Sequence, residues 1–551
     1  MIYKEQRKPG FWDRIRKNPG YAEIIDILKN DYSELLSAGI LPLSREDFDR
    51  YFETGERKPF EDAYFSRRAL LERAFVLSLL YPERREYVDT AVSVIAAICG
   101  EYSWVVPAHS GAHKVDLFSS ETALLITECI SFLGDRIDKS AAKSAIEEVY
   151  NRVIKVYEEN EFVWEKYTSN WSAVCTGCVA TAMIYAFPDS LERNLERIIK
   201  TQELFLSGFS DEGVSFEGAG YWKYGFGNFV WLADALFDHT NGRVNLFDLP
   251  KAKAVAAYPR YAVLCGGAFV TFSDSARVAS FSKALINCIK LHYPQVSMHL
   301  NGAGLTFVST RANTQNFVIR NFFFADTDSI PEEKTEDYWL PSAGQMIFNR
   351  NNYSFAIKAG DNAELHNHND VGSFIFADKA GQALCDLGCG YYNRDYFGEK
   401  RYDIFCNSSF GHSVPIINGK PQKAGKEYSG TILHEGNTVI LNIEKAYGIQ
   451  ELASLKRTVT AGENGIMLTD EYAGDTESFV DRFVTLRKPQ IYEDSIKLGN
   501  TLIKFDENAV KVNLTEALNK KHNGEFETVY LLDFTAGDKS RSLAFKIEAL
   551  Q

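Results

Sequence analysis

The chain has 551 residues (62.2 kDa), a formal charge of −14 and a pI near 5.4, with 45% hydrophobic and 24% charged residues. That length exceeds what one hydrophobic core usually fills, so two large domains are expected, and the composition is that of a folded chain. The acidic balance excludes a nucleic-acid binder, which would carry a basic stripe, but not an anionic small ligand, because a cleft can be locally basic on an acidic protein.

The opening segment, MIYKEQRKPGFWDRIRKNPG, is charged throughout and lacks the apolar stretch of a secretory signal, and no later run reads as a membrane span. A cytoplasmic protein without a membrane partner is the expectation, or a secreted or periplasmic one if the start is trimmed. From about residue 20 to 310 apolar residues recur at i, i+3, i+4 and i+7 in stretches such as RRALLERAFVLSLLY and YVDTAVSVIAAICGEY, with short polar turns between them. Such spacing predicts helical hairpins stacked into an array or toroid.

Within this half, WVVPAHSGAHKVDLFSSETA brings Trp104, His109, His113 and Asp116 to the start of a helix. His109 follows a Trp and a Pro in a loop, which suits a site as well as a structural role; Asp116 and Glu121 read as a cap and a structural hydrogen bond. YTSNWSAVCTG places Asn170 and Trp171 at the next helix start, where Asn170 taken alone reads as an N-cap. Nine cysteines, an odd number in apolar context, suit buried thiols; Cys175 and Cys178 form a CxxC, but inside an apolar helical run with no second CxxC, so core packing is expected. The segment DEGVSFEGAGYWKYGFGNFVWLADAL packs glycines and aromatics ahead of a helix, a composition suited to stacking on sugar rings, with Glu217, Tyr221 and Tyr224 in it. Tyr221 and Tyr224 are three apart and share a face if the helix is regular.

After about residue 340 the period changes to short β-branched or aromatic strands, YSFAIKAG, TVILNIEKAYG and FVDRFVTL among them, punctuated by turn formers. Residues 1–325 are therefore read as the helical domain and 326–551 as an antiparallel β-sandwich. HNHND, residues 366–370, falls at a strand end, as do Asp386 and His412; His368, Asp386 and His412 make a plausible two-histidine, one-carboxylate set for a divalent metal such as Zn2+.

Four segments in this order resemble the heparinase II/III superfamily of polysaccharide lyases: the WxxPAH loop, the NW helix start, EGxGYWxYGxxF, and HxHxD…DxG…RY…H…INGxxQ. The resemblance runs from about residue 60 to 430. It implies an incomplete (α/α) toroid followed by an antiparallel β-sandwich, a cleft between them, and β-elimination on an anionic, uronate-containing oligo- or polysaccharide such as heparan sulfate, hyaluronan or chondroitin, with alginate as the alternative. Carried over by residue, it implies catalytic roles for Asn170, Tyr224, His366 and His109, with Tyr224 as proton donor. It implies substrate contacts from Trp104, Trp171, Glu217, Tyr221, Tyr402 and Arg401, and a structural rather than catalytic metal on His368, Asp386 and His412. His366 then meets substrate, His368 meets metal, and Asp370 is a local turn residue. Lys114, Lys223, Arg394 and Arg401 are candidates for sulfate contacts.

Three rivals remain open on sequence. A toroid-fold glycoside hydrolase needs paired carboxylates, which Asp211, Glu212 and Glu217 could supply. A non-catalytic glycan binder would keep the aromatics alone. A zinc hydrolase would use the metal to activate water.

Overall fold

A computed structural model describes residues 2–111, 114–277, 279–298, 305–306, 318–324, 336–364, 366–393, 395–537 and 540–550. His113 and Arg394 lie outside the described residues, as does the boundary set at 325/326.

The helical period of the first half folds as its spacing predicts. α1 (Lys58–Leu80) packs on α2 (Arg85–Cys99); α3 (Leu117–Leu133) follows, then α4 (Asn170–Ala186), α5 (Pro188–Ser207), α6 (Gly227–Thr240) and α7 (Lys283–His292). One residue, Phe187, separates α4 from α5, and Pro188 opens α5 at a position where its missing N–H costs nothing. α4 packs against α3, α5 and α6 and is buried on nearly all sides, which is why its sequence is apolar all round rather than striped. Cys175 and Cys178 lie in that core with no exposed surface, and all nine cysteines are free. Leu117–Arg136 is long and apolar enough to cross a membrane by composition, but 78% of that window is buried inside the protein.

In the second half a five-stranded antiparallel meander comes first: β1 (Tyr338–Leu340), β2 (Gln345–Asn349), β3 (Tyr353–Lys358), β4 (Phe374–Asp378) and β5 (Gly381–Leu384), adjacent in chain order. Every residue of β2, β3 and β4 is buried. Alternate residues divide between two cores. Ile347, Ala356, Ile375 and Ala377 join the helical core, whereas Met346, Phe348, Phe355, Ile357, Phe374 and Phe376 join the core of the sandwich. Two apolar faces erase the polar/apolar alternation that a half-exposed strand would show. Burying Ile347 and Ile375 against the helices contributes about 2 kcal/mol each, so the sheet is a shared middle layer.

Behind it lies a nine-stranded antiparallel sheet running from Gln490–Ile491 at one edge to Gly360–Asn362 at the other, with Gly465–Gly474 at its centre, and a four-stranded sheet of Val510–Lys520, Phe526–Ala536, Phe479–Thr485 and Pro415–Ile417. Leu452–Ala461 and Gly465–Gly474 alternate buried and exposed positions, as one-sided sheets do. Arg457, fully buried, links these layers: its guanidinium donates to both carboxylate oxygens of Asp470 (2.8 and 2.6 Å), to Asp481 (2.9 Å) and to the carbonyls of Gly372 and Ser413. Replacing Arg457 with Met strands two buried carboxyls, and urea denaturation is expected to show a loss of about 3–5 kcal/mol.

Candidate active site

Two adjoining cavities open where the helical region meets the sandwich. The larger, about 570 Å³, is lined by His366, Asn367, Tyr396, Arg401 and Tyr402 among others; the smaller, about 280 Å³, by Thr168, Phe205, Glu217 and Tyr221. Ala363 and Glu364 line both and so stand between them.

His366, which lines the larger cavity, has φ of +56°, a left-handed backbone uncommon for a residue with a Cβ. This bend sends His366 and His368 to different places. His366 keeps 23% of its side chain exposed, while His368 is fully buried. Both reach one carboxylate: His366 Nδ1–H donates to Asp274 Oδ2 (2.8 Å) and His368 Nε2–H to Asp274 Oδ1 (2.9 Å). Arg401 Nη2 (2.9 and 3.0 Å) and the Tyr396 hydroxyl (2.5 Å) donate to it as well. Burial opposes ionisation of Asp274, yet the hydrogen bonds from both histidines, with the positive charge of Arg401, hold its carboxyl far below the usual range. Glycine lets neighbouring loops close on this turn. A Cβ at Gly218 (φ +85°) would lie 2.4 Å from Ser275 Oγ, and one at Gly388 (φ +61°) 2.2 Å from Ser275 O.

With Nδ1 committed to Asp274, the other ring nitrogen of His366 faces Glu217, its Nε2 lying 3.5 Å from Glu217 Oε1. Burial raises the Glu217 pKa, against a hydrogen bond from the Asn170 backbone N–H. Burial works against imidazolium at His366, but the hydrogen bond to Asp274 and the Glu217 charge outweigh it and raise the His366 pKa. The imidazole and carboxyl thus favour holding a proton between them. Tyr221 packs on the His366 ring (centroids 4.8 Å apart), and its hydroxyl hydrogen-bonds to that of Tyr392 at 2.9 Å. Tyr402 donates to Asn367 Oδ1 at 2.8 Å from the sandwich side.

On the helical side, Ser169 rather than Asn170 takes the N-cap of α4; Asn170 is the first helical residue, 5% exposed, and presents its N–H to Glu217. Trp171 meets His109 edge to face at 4.8 Å, and His109 Nδ1–H donates to Asp116, which caps α3. The Tyr224 hydroxyl donates to Glu121 Oε1 of α3 at 2.9 Å, and neither Tyr224 nor Asn170 is among the residues lining these two cavities. Trp222–Phe226 is a π-helical turn, which breaks the three-residue phase that would have put Tyr221 and Tyr224 on one face. Trp104 is a correction as well. Only 2% exposed, with its indole N–H donated to Ile98 O, it is core and offers no surface to a sugar.

His368, Asp386 and His412 are fully buried, and one ligand atom of each lies within 4.8 Å of the others. Outer partners fix both tautomers. His368 Nε2–H is spent on Asp274 and His412 Nε2–H on Cys406 O (2.8 Å), leaving each Nδ1 for the interior. His368 Nδ1 is buried without a hydrogen-bond partner, and His412 Nδ1 is 3.1 Å from Asp386. This donor set fits a divalent cation. Asp370 is more than a turn residue: one oxygen pairs with buried Lys358 (2.8 Å), and the other, unpartnered, lies 3.9 Å from His412 Nδ1.

Residues 332–534 match the family model described as heparinase II/III-like, C-terminal. Over those residues the β region is similar to the C-terminal domain of heparinase II/III-like proteins. The whole chain is similar in fold to solved lyase structures: a heparinase III (13% identity, TM-score 0.61, covering 88% of this chain and 76% of that one), a mutant heparan sulfate lyase from Pedobacter heparinus (12%, 0.62, 98% and 91%), and a Streptomyces coelicolor A3 chondroitin AC lyase in complex with chondroitin sulphate (9%, 0.58, 98% and 82%). The shared architecture is a helical toroid followed by antiparallel β-sheets. A search of curated proteins finds no match.

Sequence reasoning missed the carboxylate on which the histidines of HNHND converge. Asp274 lies more than ninety residues before HNHND in TFSDSAR, with no spacing signal to link them. Its one clue was an acid flanked by serines inside an apolar run. Asp211 and Glu212 are structural, pairing with Lys251 and with Ser210 and Ser342. Glu364, with a pKa raised to about 7 chiefly by burial, was also missed.

Burial raises the Glu121 pKa from 4.5 to about 8, against the lowering effect of the Tyr224 hydrogen bond. The folded state therefore holds an extra proton between those values. The stability that goes with it is full below pH 4.5 and is lost as the pH rises towards 8, by about 1.4 kcal/mol per pH unit for one proton. Glu121→Gln is expected to flatten the fall of the urea midpoint between pH 5 and 8 by that one-proton slope.

Proposed function

We propose that the protein is a lyase that cleaves uronate-containing glycans, glycosaminoglycans foremost, by β-elimination, giving an unsaturated uronate at the new end. The observation that carries this reading is His366, held by Asp274 in the larger cavity beside Tyr402, with Nε2 towards Glu217 and its ring against Tyr221, which both line the adjoining cavity. The likeness to heparinase III, heparan sulfate lyase and chondroitin AC lyase folds supports it.

Removing the C5 proton of a uronate builds negative charge on its carboxylate, so that group must meet donors before a weak base can act. Once His366 has passed its Nε2 proton to Glu217, the Glu217 carboxylic acid is such a donor and Nε2 is the base, while Nδ1–H stays on Asp274; the C5 proton taken by Nε2 afterwards replaces the one given up by the phenol. A phenol then protonates the departing glycosidic oxygen. Tyr221 is the geometric candidate, being the ring against His366, and Tyr402 is the second from the opposite wall. Tyr224 serves through Glu121 as part of the helical wall. A Zn2+ on His368, Asp386 and His412 would supply fixed positive charge that holds the sandwich rim and, through His368 and Asp274, the orientation of His366.

A panel of heparan sulfate, unsulfated heparosan, hyaluronan, chondroitin and alginate oligomers, followed by near-ultraviolet absorbance, tests the reaction. A rising signal with at least one polymer supports elimination. Reducing ends that accumulate without absorbance would mean hydrolysis, for which Glu217 and Glu364 line the same cavity. His366→Ala is expected to lower kcat by about 10²-fold or more, and Tyr221→Phe by a similar factor, with Tyr224→Phe much milder. If the metal is structural, chelation lowers the melting temperature, Zn2+ restores it, and His412→Ala largely removes this response.

A further inference from the structure

A second group of metal-binding side chains lies in the helical region, on elements that contribute nothing to the two cavities. Cys288 and His292 are four residues apart on α7 and so share a face; Asp234 of α6 lies opposite, across the α6–α7 contact. One ligand atom from each lies within 4.8 Å of the other two. His292 Nε2–H donates to Asp234 Oδ1 at 3.0 Å, and the ring is clamped between Phe247, stacked at 3.8 Å, and Phe237, edge-on at 5.5 Å. The imidazole is therefore held in orientation before any ligand arrives.

A fourth donor comes from the start of the chain. Tyr3 is buried and its hydroxyl has no hydrogen-bond partner, an omission that costs about 1–3 kcal/mol. Asp234 is foremost among the charges this hydroxyl feels, and Cys288 is another. The Tyr3 backbone is pinned at φ +57°, its N–H donating to Asp238 Oδ2 at 2.7 Å, one turn beyond Asp234 on α6.

We propose that Asp234, Cys288 and His292, with the Tyr3 hydroxyl as fourth donor, form a structural Zn2+ site that ties the N-terminal segment to α6 and α7. A thiolate and an imidazole beside one carboxylate select Zn2+ over Mg2+ or Ca2+, which take oxygen donors. On binding, the Cys288 thiol gives up its proton to solvent and forms the Zn–S bond. The His292 ring proton moves from Nε2 to Nδ1, so the imidazole stays neutral, and Zn–N and Zn–O bonds replace the hydrogen bond to Asp234. Thiolate and carboxylate together balance the two positive charges. Bond lengths of about 2.0–2.1 Å in a tetrahedron place nitrogen and oxygen roughly 3.3–3.4 Å apart, so the 3.0 Å pair need open by only a few tenths of an ångström.

Cobalt separates this site from the one in the sandwich. The His368, Asp386 and His412 set contains no sulfur, so only the α6–α7 site gives a thiolate-to-cobalt charge-transfer band. Full-length protein stripped with chelator and titrated with Co2+ is expected to show that band, Zn2+ is expected to bleach it, and Cys288→Ala is expected to abolish it and lower the bound Zn2+ by one equivalent per chain. Should circular dichroism show Cys288→Ala to be misfolded, His292→Gln is read for the same loss. Tyr3→Phe is expected to keep the band while weakening Co2+ binding about tenfold, and unchanged affinity would remove Tyr3 from the set. No charge-transfer band in the wild type, or a band undiminished in the folded Cys288 or His292 variant, overturns the proposal.

Discussion

One buried carboxylate organises the junction of the molecule. Asp274 belongs to the chain segment between α6 and α7, yet its hydrogen-bond donors, His366, His368, Arg401 and Tyr396, all come from the sandwich. In a low-dielectric interior a lone anion would be costly, and four donors from two loops convert that cost into a positional constraint. The same contacts set the tautomers of two histidines, directing one to the cleft and the other to the metal set. Cleft and metal set are thus coupled through the two oxygens of a single side chain.

The charge balance of the cleft follows from that arrangement. Among the described residues lining the two cavities, the guanidinium is that of Arg401, and Asp274 already engages it. Glu217 and Glu364 add acidity whose ionisation burial disfavours. Such a site is equipped to meet an anionic ligand by hydrogen bonding and by sharing protons more than by bulk positive charge, which agrees with the acidic chain as a whole.

Much of this was legible in the sequence. The change of period from 3.6 to 2 marks the two halves, and the metal set could be assembled because each member ends a strand-like segment. What escaped did so for physical reasons. Asp274 meets HNHND through tertiary contact alone. Tyr221 and Tyr224 were separated by a π-helical turn that leaves no sequence signature, because it is a local response to packing against α4, where Gly225 abuts Asn170. Trp104 resembled a sugar platform because indoles serve both purposes; only the placement of its N–H against Ile98 shows which. Asp370 looked like turn chemistry, and it does make a turn, but Lys358 and His412 stand behind it.

The five-stranded meander has the widest consequence. Because its odd and even side chains belong to different cores, cutting the chain between helices and sheets would leave one half with a bare apolar face and the other without a wall. Neither half is a module that could be lent to another architecture on its own. The groove that holds the sugar is a seam within one cooperative solid, and its width is set by the packing of β2, β3 and β4 rather than by a hinge.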